Sequence, residues 1–360
     1  MVVPSAAECR EAAAAADQAV TWRRGVPAVV DMSAPAGRGE LARQVVRACG
    51  GGGGGFFKAV NHGVAPRVAA RMDAAAAAFF ARAAAEKQLA GPPDPLGYGS
   101  RSIGSNGDVG ELEYLILHTH PDSVARKANA IDTNHPHRFS QVVNDYVEAV
   151  RQLACQVLDL LGEGLGLRDP TSLSSLITAT DNDSLVRINH YPPHPSCASA
   201  TKPGGGGAVG FGEHTDPQIL SVLRANDVGG LQVLLPDAAA AADGDGAWVP
   251  VAPDPSAFFI NVGDLLQALT NGRLVSVRHR VVAGAGKPRL STIYFAAPPL
   301  HATISALPET VTAGAPRLYR PFTWAEYKKT MYTLRLSHNR LVLFHVGDGG
   351  AGIEDHDGQE

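Results

Sequence analysis

From about residue 185 onward, the residues of this chain alternate between two faces with a period of two. In 185–191, Leu185, Arg187, Asn189 and Tyr191 share one face of an extended strand. Further strand-like runs, separated by turns rich in Gly, Pro, Asn or Asp, follow at 219–223, 231–235, 247–251, 257–262, 274–282 and 290–295. No helical pattern of crossover length lies between them, so the pattern predicts a jelly roll or barrel and not a parallel sheet.

Helical periodicity marks the regions on both sides of these strands. The longest apolar stripe begins at Phe139 and ends at Leu161. Near the C-terminus, Thr323 and Glu326 have the spacing of a capping box at the start of another helix. The predicted fold class is therefore α+β with a mainly β core, a jelly roll with flanking N-terminal and C-terminal helices.

Composition limits the partners of the chain. Its 360 residues carry a formal net charge of −4, which gives no sign of a nucleic-acid or anionic-membrane partner. No apolar run approaches about 18 residues, and segment 1–23 contains Glu8 and Arg10 where a signal peptide would be apolar. The four Cys are widely spaced, which fits a reducing compartment. We expect a cytoplasmic protein without membrane or nucleic-acid partners; an oligomer is possible, and the role of Cys197 stays open.

The first chemical signal is the pair His214 and Asp216, two residues apart. On an extended strand both side chains point to the same face, which would aim an imidazole and a carboxylate at one point. They are two of the three ligands in the two-His, one-carboxylate set that holds non-haem iron. The spacing alone is weak evidence, because the chain also contains His120-Pro121-Asp122, where the proline disfavours a regular inner strand.

A third ligand is available on a later strand. In 274–282, His279 alternates with three valines that face the same side. A histidine in such an apolar row is either a hydrogen-bonded core residue or a metal ligand. The His-x-Asp pair on an earlier strand of the same barrel favours the ligand, so we predict a metal site of His214, Asp216 and His279.

Arg289 and Ser291 predict an anion site beside the metal. They too are two residues apart and point inward. A buried arginine is costly without an anion, and its planar guanidinium fits a carboxylate. Iron(II) with one carboxylate ligand keeps one positive charge, so a dicarboxylate together with Arg289 makes the site neutral. 2-Oxoglutarate has this shape, and Asn189 and Tyr191 face inward to complete its hydrogen bonds. The alternative is an outward arginine on an edge strand.

Two glycine-containing stretches have no assigned chemistry. Six glycines at 50–55 predict a flexible connection; a phosphate-binding loop is disfavoured because no Lys-Ser/Thr follows. Residues 91–110 are rich in Gly, Pro, Ser and Asn and predict a long loop of the kind that covers binding sites.

The order of these motifs resembles the plant iron(II)/2-oxoglutarate-dependent dioxygenases. The resemblance is carried by Asn61-His62-Gly63, Asn189-His190-Tyr191-Pro192-Pro193, His214-x-Asp216, His279 and Arg289-x-Ser291. Within that family, the wording of 210–220, 227–233 and 321–329 is similar to the gibberellin 2-oxidases that act on nineteen-carbon gibberellins.

The resemblance implies a double-stranded β-helix (cupin-like) and a role for each motif residue. The Fe(II) ligands are His214, Asp216 and His279. The co-substrate 2-oxoglutarate is held by Arg289, Ser291 and Tyr191, with Asn189 beside them. O2 is the oxidant, and ascorbate serves as reductant.

The resemblance also divides the chain into successive parts. These are a flexible lead-in at 1–25, an N-terminal helical dioxygenase region at 26–180, an iron/2-oxoglutarate jelly-roll domain at 181–300, a C-terminal helical segment at 301–345 and a disordered tail at 346–360.

The implied function is 2-oxoglutarate-dependent 2β-hydroxylation of nineteen-carbon gibberellins and their precursors, which inactivates the hormone and releases succinate and carbon dioxide. A gibberellin is an apolar ring system with a carboxylate, so its pocket needs apolar walls and a few polar groups. Tyr114 and Phe295 are expected in the wall, and Arg101 and Lys328 are the candidate cations. The alternatives are a related plant dioxygenase for another gibberellin position or a phenolic substrate, and a catalytically silent jelly roll that binds a small acid.

Overall fold

The computed structural model describes residues 27–92, 96–103, 108–193, 209–235, 246–284, 286–336 and 340–347. The lead-in predicted for 1–25, most of the tail predicted for 346–360, and Cys197 lie outside these residues. The described part of the chain folds into a jelly-roll core with flanking helices, which confirms the predicted fold class. None of its helices is long and apolar enough to cross a membrane.

The strands of the described residues run in chain order as follows: β1 (Ala28–Asp31), β2 (Phe56–Val60), β3 (Gly97–Ile103), β4 (Asp108–His118), β5 (Leu185–Tyr191), β6 (Val209–His214), β7 (Leu220–Ala225), β8 (Leu231–Leu235), β9 (Ala247–Pro250), β10 (Phe258–Val262), β11 (His279–Val282), β12 (Arg289–Ala296), β13 (Thr303–Ile304) and β14 (Phe322–Thr323).

These strands form one large and one smaller sheet, with a two-stranded ribbon of β13 and β14 beside them. The large sheet has eight strands in the order β1-β2-β10-β7-β12-β5-β4-β3, and the smaller has four in the order β6-β11-β8-β9. Apart from the parallel pair β1 and β2, the neighbours in both sheets are antiparallel. β12 therefore lies in the interior of the large sheet, which positions its side chains for a buried site.

The helices are α1 (Arg38–Cys49), α2 (Pro66–Phe80), α3 (Ala84–Gln88), α4 (Pro121–Ile131), α5 (Pro136–Leu165), α6 (Ser172–Thr178), α7 (Asp264–Leu269) and α8 (Trp324–Thr333). Proline occupies the first turn of α2, α4 and α5, where its missing N–H costs no helical bond. The Thr323 side chain accepts a hydrogen bond from the Glu326 N–H, as a helix cap predicts.

Two apolar clusters hold the layers together. The larger cluster joins the helices to one face of the eight-stranded sheet, with α5 contributing its predicted apolar stripe. The second cluster lies between the two sheets and includes Phe56, Tyr114 and Leu223 from the large sheet and Phe211 and Val233 from the smaller one. The functional site lies at this inner cluster, because β12 and β5 face β6 and β11 there.

The strand predicted for 274–282 begins only at His279, so that part of the prediction is wrong. The preceding backbone bonds to other elements. The Val275 N–H donates to the Cys49 carbonyl oxygen at 3.0 Å, and the Val277 N–H donates to the Val262 carbonyl oxygen at 3.4 Å. Carbonyl oxygens at the ends of α1 and β10 therefore accept the hydrogen bonds that a neighbouring strand would otherwise accept.

The long loop predicted for 91–110 is also wrong for much of its length, because β3 pairs with β4. The register shifts between Ser100 and Ser102, and Arg101 between them has a φ of 64°. Between the pairs that these two serines form, β3 has one residue and β4 has three, so the extra residues of this β-bulge lie on β4. The glycine content has a packing reason: a Cβ on Gly99 would lie 2.4 Å from the ring of Tyr114.

The glycine run 50–55 is a packed connection and not a flexible one. Gly51–Gly53 form a short 3-10 helix, and Gly53 and Gly55 are buried. Gly55 has a φ of +72°, and a Cβ there would lie 1.9 Å from the Val275 carbonyl oxygen. A side chain at this point has no room, because the run packs directly against the segment that leads to His279.

Candidate active site

His214, Asp216 and His279 come together where β6 and β11 pair. His214 is the last residue of β6, His279 is the first residue of β11, and the two are direct cross-strand partners. Asp216 Oδ1 lies 3.6 Å from His214 Nε2 and 3.7 Å from His279 Nε2. One ligand atom from each residue lies within 4.8 Å of the others, so the three side chains form a site able to hold one metal ion.

Backbone carbonyls orient both imidazoles. The Nδ1 of His214 lies 2.8 Å from the Gly212 carbonyl oxygen, and the Nδ1 of His279 lies 3.2 Å from the Val277 carbonyl oxygen. A carbonyl accepts and cannot donate, so each Nδ1 carries the proton and each Nε2 keeps a free lone pair. Both lone pairs are therefore available to a metal beside Asp216.

The orientation of Asp216 comes from other elements, because β6 ends at His214 and strand alternation stops there. The Ser221 hydroxyl donates to Asp216 Oδ2 at 2.6 Å, and the Asn261 amide donates to the same oxygen at 3.4 Å. This leaves Oδ1 facing the imidazoles. The two-residue spacing of His214 and Asp216 therefore explains only part of the geometry, and the hydrogen bonds to Oδ2 explain the rest.

The protonation states suit metal binding. Burial and the neighbouring His279 hold the pKa of the His214 imidazole well below its ordinary value, so it stays neutral. Burial opposes ionisation of Asp216, but the two imidazoles and the Ser221 hydroxyl outweigh it and lower the pKa of this carboxyl. A neutral imidazole and an ionised carboxylate are the forms that coordinate a cation.

Arg289 offers a candidate anion site in the same cavity. It is buried on interior strand β12, which excludes the alternative of an outward arginine on an edge strand. Its Nε and Nη1 have no hydrogen-bond partner within the described residues, and neither does the buried Oγ of Ser291. The cross-strand partners of these two residues are Tyr191 and Asn189, and the guanidinium lies 5.3 Å from the Tyr191 ring centroid. Unpaired buried donors of this kind fit a carboxylate ligand.

One cavity contains both the metal-binding set and the anion site. It is lined by His214, Asp216, His279, Arg289, Ser291, Asn189 and Tyr191, and its walls are mostly apolar. Phe295 and Lys328 also line it, as predicted for substrate contacts. The Lys328 Nζ lies 2.6 Å from Asp183 Oδ2, so its charge already has a partner.

Arg101 and Tyr114 lie outside the set of cavity-lining residues. The Arg101 side chain is 72% exposed and pairs with Glu111. Tyr114 is buried, and its hydroxyl donates to the Ser102 carbonyl oxygen at 2.8 Å. Arg101 lies opposite the bulged part of β4 with its side chain in solvent, and Tyr114 packs against β3, so neither side chain lines the cavity.

Two cavity-lining arginines had no assigned role in the sequence. Arg187 shares the inward face of β5 with Asn189 and Tyr191, so strand alternation was the signal that pointed to it. Arg340 lies in a short 3-10 helix after the C-terminal helix, and its Nη2 donates to the Thr215 carbonyl oxygen at 2.8 Å. No local pattern reveals that contact, because it joins residues far apart in the chain.

A jelly roll with two histidines and one carboxylate beside a buried arginine defines the class of non-haem iron oxygenases that use 2-oxoglutarate. Consistent with this, the family model of the 2OG-Fe(II) oxygenase superfamily matches residues 182–298, and that of the non-haem dioxygenase in morphine synthesis N-terminal matches 27–138. The rice dioxygenase for auxin oxidation superposes with a TM-score of 0.72 at 30% identity over 89% of this chain and 100% of that chain. JOX2 in complex with 2OG, Fe and JA gives 0.73 at 28% identity over 89% of each chain.

Sequence relatives narrow the class further. Gibberellin 2-beta-dioxygenase 2 of Oryza sativa subsp. japonica is 78% identical over 97% of this chain and 96% of its own length. Gibberellin 2-beta-dioxygenase of Phaseolus coccineus is 48% identical over 89% of this chain and 91% of its own length. The chain belongs to the gibberellin 2-beta-dioxygenases.

Proposed function

We propose that this protein hydroxylates nineteen-carbon gibberellins and their precursors at the 2β position, with 2-oxoglutarate and O2 as co-substrates and succinate and carbon dioxide as co-products. The observation that carries the proposal is one apolar cavity with a His-Asp-His cluster and an unpaired buried arginine, in a chain 78% identical to a gibberellin 2-beta-dioxygenase. Hydroxylation at this position inactivates the hormone.

The cavity residues fit the two cofactors of this reaction. We assign His214, Asp216 and His279 as the Fe(II) ligands, since two imidazoles and one carboxylate leave open positions on the metal. We assign Arg289 and Ser291, with Tyr191 and Asn189 beside them, as the clamp for the far carboxylate of 2-oxoglutarate. When bound, iron and 2-oxoglutarate supply the oxidising equivalent that inserts one oxygen atom into a C–H bond of the substrate.

The protein itself contributes orientation and a dry site. Ser221 and Asn261 fix Oδ2 of Asp216, which leaves Oδ1 for the metal, and two backbone carbonyls fix the histidine tautomers. The metal-binding atoms are therefore oriented before the metal binds. Burial of Arg289 strengthens its attraction to a carboxylate, because the surrounding dielectric constant is low.

The apolar part of the cavity suits the ring system of a gibberellin. Phe295 lines the cavity, and so do residues of α8 and the segment after it, including Met331, Tyr332 and Leu336. A pocket of this composition excludes water from the reacting carbon, which favours hydroxylation of the bound substrate over side reactions.

The proposal is tested by incubating the protein with Fe(II), ascorbate, 2-oxoglutarate and a panel of gibberellins while succinate and hydroxylated products are measured. We expect 2β-hydroxylated products from nineteen-carbon gibberellins and one succinate for each product. Succinate release only with a phenolic acid, or hydroxylation of a gibberellin at another carbon, would contradict the assigned function.

We also propose a cytoplasmic location, which the thiol state supports. Cys49 and Cys155 are free cysteines, as expected in a reducing compartment. A fluorescent fusion that reports from a secretory compartment would contradict this location.

A further inference from the structure

Arg187 is an arginine held in the cavity by groups that do not neutralise it. Its Nε donates to the Asn189 Oδ1 at 2.8 Å. The guanidinium lies 4.1 Å from the ring centroid of Tyr114 and 4.9 Å from that of Phe211. These two aromatic contacts and one amide fix the plane of the guanidinium, since an arginine stacks well on ring faces.

The charge of Arg187 lacks an acidic partner among the residues that the structure describes. No carboxylate of those residues lies within ion-pair distance, and its Nη2 is buried without any hydrogen-bond partner there. Burial disfavours the charged guanidinium, so its pKa lies below the ordinary arginine value. An uncompensated buried charge is costly, and such a group is retained where a ligand supplies the opposite charge.

The other described cations that line the cavity already have partners or roles. Lys328 pairs with Asp183, and Arg340 donates to the Thr215 carbonyl oxygen. Arg289 is assigned to 2-oxoglutarate. Arg187 is therefore the cavity cation that the proposed chemistry has left unused.

The position of Arg187 along the sheet separates it from the 2-oxoglutarate clamp. On β12, Arg289 pairs with Tyr191, whereas Ile293 pairs with Arg187. Four residues of strand separate these two levels, a distance of roughly 13 Å. The two arginines therefore start from different levels of the sheet, and Asn189 lies between them on β5.

Arg187 instead lies on the metal side of the cavity. The Phe211 ring that it faces is 4.4 Å from the ring of His214, so a single aromatic ring separates the guanidinium from a metal-binding imidazole. A substrate that presents its reacting carbon to the metal thus extends past Phe211 toward Arg187.

We propose that Arg187 is the specificity-determining residue that binds the carboxylate of the gibberellin substrate. This inference rests on the proposed function and adds the group that selects a free acid over a neutral molecule of the same shape. The buried Nη2 of the guanidinium has no hydrogen-bond partner among the described residues, and a carboxylate oxygen can accept from it. Placement of the acid there sets the rotation of the ring system over the metal, and hence which carbon is presented.

The test compares a nineteen-carbon gibberellin with its methyl ester, in the wild type and in Arg187→Met. Binding is measured by calorimetry on the Mn(II)-loaded chain with 2-oxoglutarate under anaerobic conditions, so that it is observed without turnover. We expect the wild type to bind the acid roughly 30-fold or more tightly than the ester, since loss of one partner of a buried charge pair has this size. Arg187→Met should bind both forms equally weakly and keep its affinity for 2-oxoglutarate.

Arg168→Gln is the matched control, because the Arg168 side chain is 91% exposed. It should keep the wild-type ratio of acid to ester. Arg187→Lys, which keeps the charge and loses the planar fork, should retain part of the preference and guards against a folding defect of the methionine variant.

Three results would overturn the inference: equal wild-type affinity for acid and ester, an unchanged acid preference in Arg187→Met, or a loss confined to 2-oxoglutarate. All three are measured on a chain that binds gibberellin. Absence of gibberellin binding and turnover in the wild type would instead remove the proposed function, so the two failures are distinguishable.

Discussion

Individual residues of the cavity are set by contacts on the side away from the ligands. His214 and His279 are oriented through Nδ1, and Asp216 is oriented through Oδ2. Arg289, in contrast, has no described hydrogen bond from Nε or Nη1. The metal-binding set is therefore preformed, whereas these donors of Arg289 obtain hydrogen-bond partners only from a ligand. This difference predicts distinct consequences of substitution.

Arg289→Gln should weaken binding of 2-oxoglutarate and leave metal binding intact. The glutamine keeps a hydrogen bond but loses the charge, so the KM for 2-oxoglutarate should rise by roughly 30-fold or more. Steady-state kinetics at varied 2-oxoglutarate measure this directly. Lys287→Gln is the control, because Lys287 is 75% exposed on the turn before β12. An unchanged KM in Arg289→Gln would show that the clamp lies elsewhere.

At this scale, the sequence revealed side chains whose orientation follows from strand alternation. Arg289 and Ser291 lie on the inner face of β12, as their spacing predicts. The sequence did not reveal contacts that depend on distant elements, such as Ser221 with Asp216. Arg101 was predicted as a substrate cation because its pairing with Glu111 across the irregular β3–β4 register has no sequence signature.

At the scale of elements, one half-buried acid on β4 joins α3, β3 and β5. Glu113 on β4 accepts hydrogen bonds from Lys87 of α3 and Tyr98 of β3, both at 2.6 Å, and lies 2.8 Å from the His190 Nδ1 of β5. Burial opposes ionisation, but these three partners together lower the pKa of Glu113 to about 2. Glu113 thereby links α3 to the sheet.

Stability should therefore fall in acid through Glu113. Because its folded pKa lies below the ordinary value of 4.5, its contribution is complete above about pH 4.5 and is lost as pH falls toward about 2. Because Glu113 is only half-buried and solvent screens its partners, the full contribution is on the order of 1–2 kcal/mol. Urea unfolding of the wild type and Glu113→Gln between pH 6 and pH 3 measures the difference. A gap between the two proteins that stays constant with pH would contradict this assignment.

The glycine run 50–55 gives a second prediction at this scale. Gly55→Ala combines a positive φ with a Cβ placed 1.9 Å from the Val275 carbonyl oxygen, so we expect a loss of roughly 2–4 kcal/mol of stability. Gly52→Ala is the matched control, because no atom lies within 4 Å of its Cβ position. Thermal unfolding of the two variants distinguishes them, and equal midpoints would mean that the run is flexible after all.

The run also shows why elements were harder to predict than site residues. A string of glycines carries no periodicity, so its sequence is the same for a tether and for a packed turn. A packed turn differs from a tether here because the backbone of Val275 lies against the run in space, although it is remote in the sequence. The same reason applies to β3, whose Gly and Ser residues are typical of loops yet pair with β4.

At the scale of the whole molecule, the cavity is built from separate layers. The smaller sheet supplies the two histidines, the large sheet supplies Arg289, and the C-terminal helix region supplies part of the wall. Occupants of the cavity therefore contact several layers at once. Stability and ligand binding should be linked for this reason.

Addition of Fe(II) and 2-oxoglutarate without oxygen should raise the midpoint of thermal unfolding. At ligand concentrations near 100 times the dissociation constant, the stabilisation is about 2.7 kcal/mol for each independent site. In His279→Ala the effect of metal should disappear, because one of the three ligand atoms is gone. Scanning calorimetry of both proteins measures this, and a metal-dependent shift that survives in His279→Ala would mean a different third ligand.

The glycine run has a final consequence, which concerns how the chain tolerates change over evolutionary time. Loss or gain of one glycine within this run of six leaves every other residue of the sequence unchanged. The bridge between Gly50 and Leu274 fixes one end of the run, and strand β2 fixes the other. A shorter run would have to pull β2 out of its pairing with β10. The length of the run is therefore what the fold requires of this stretch.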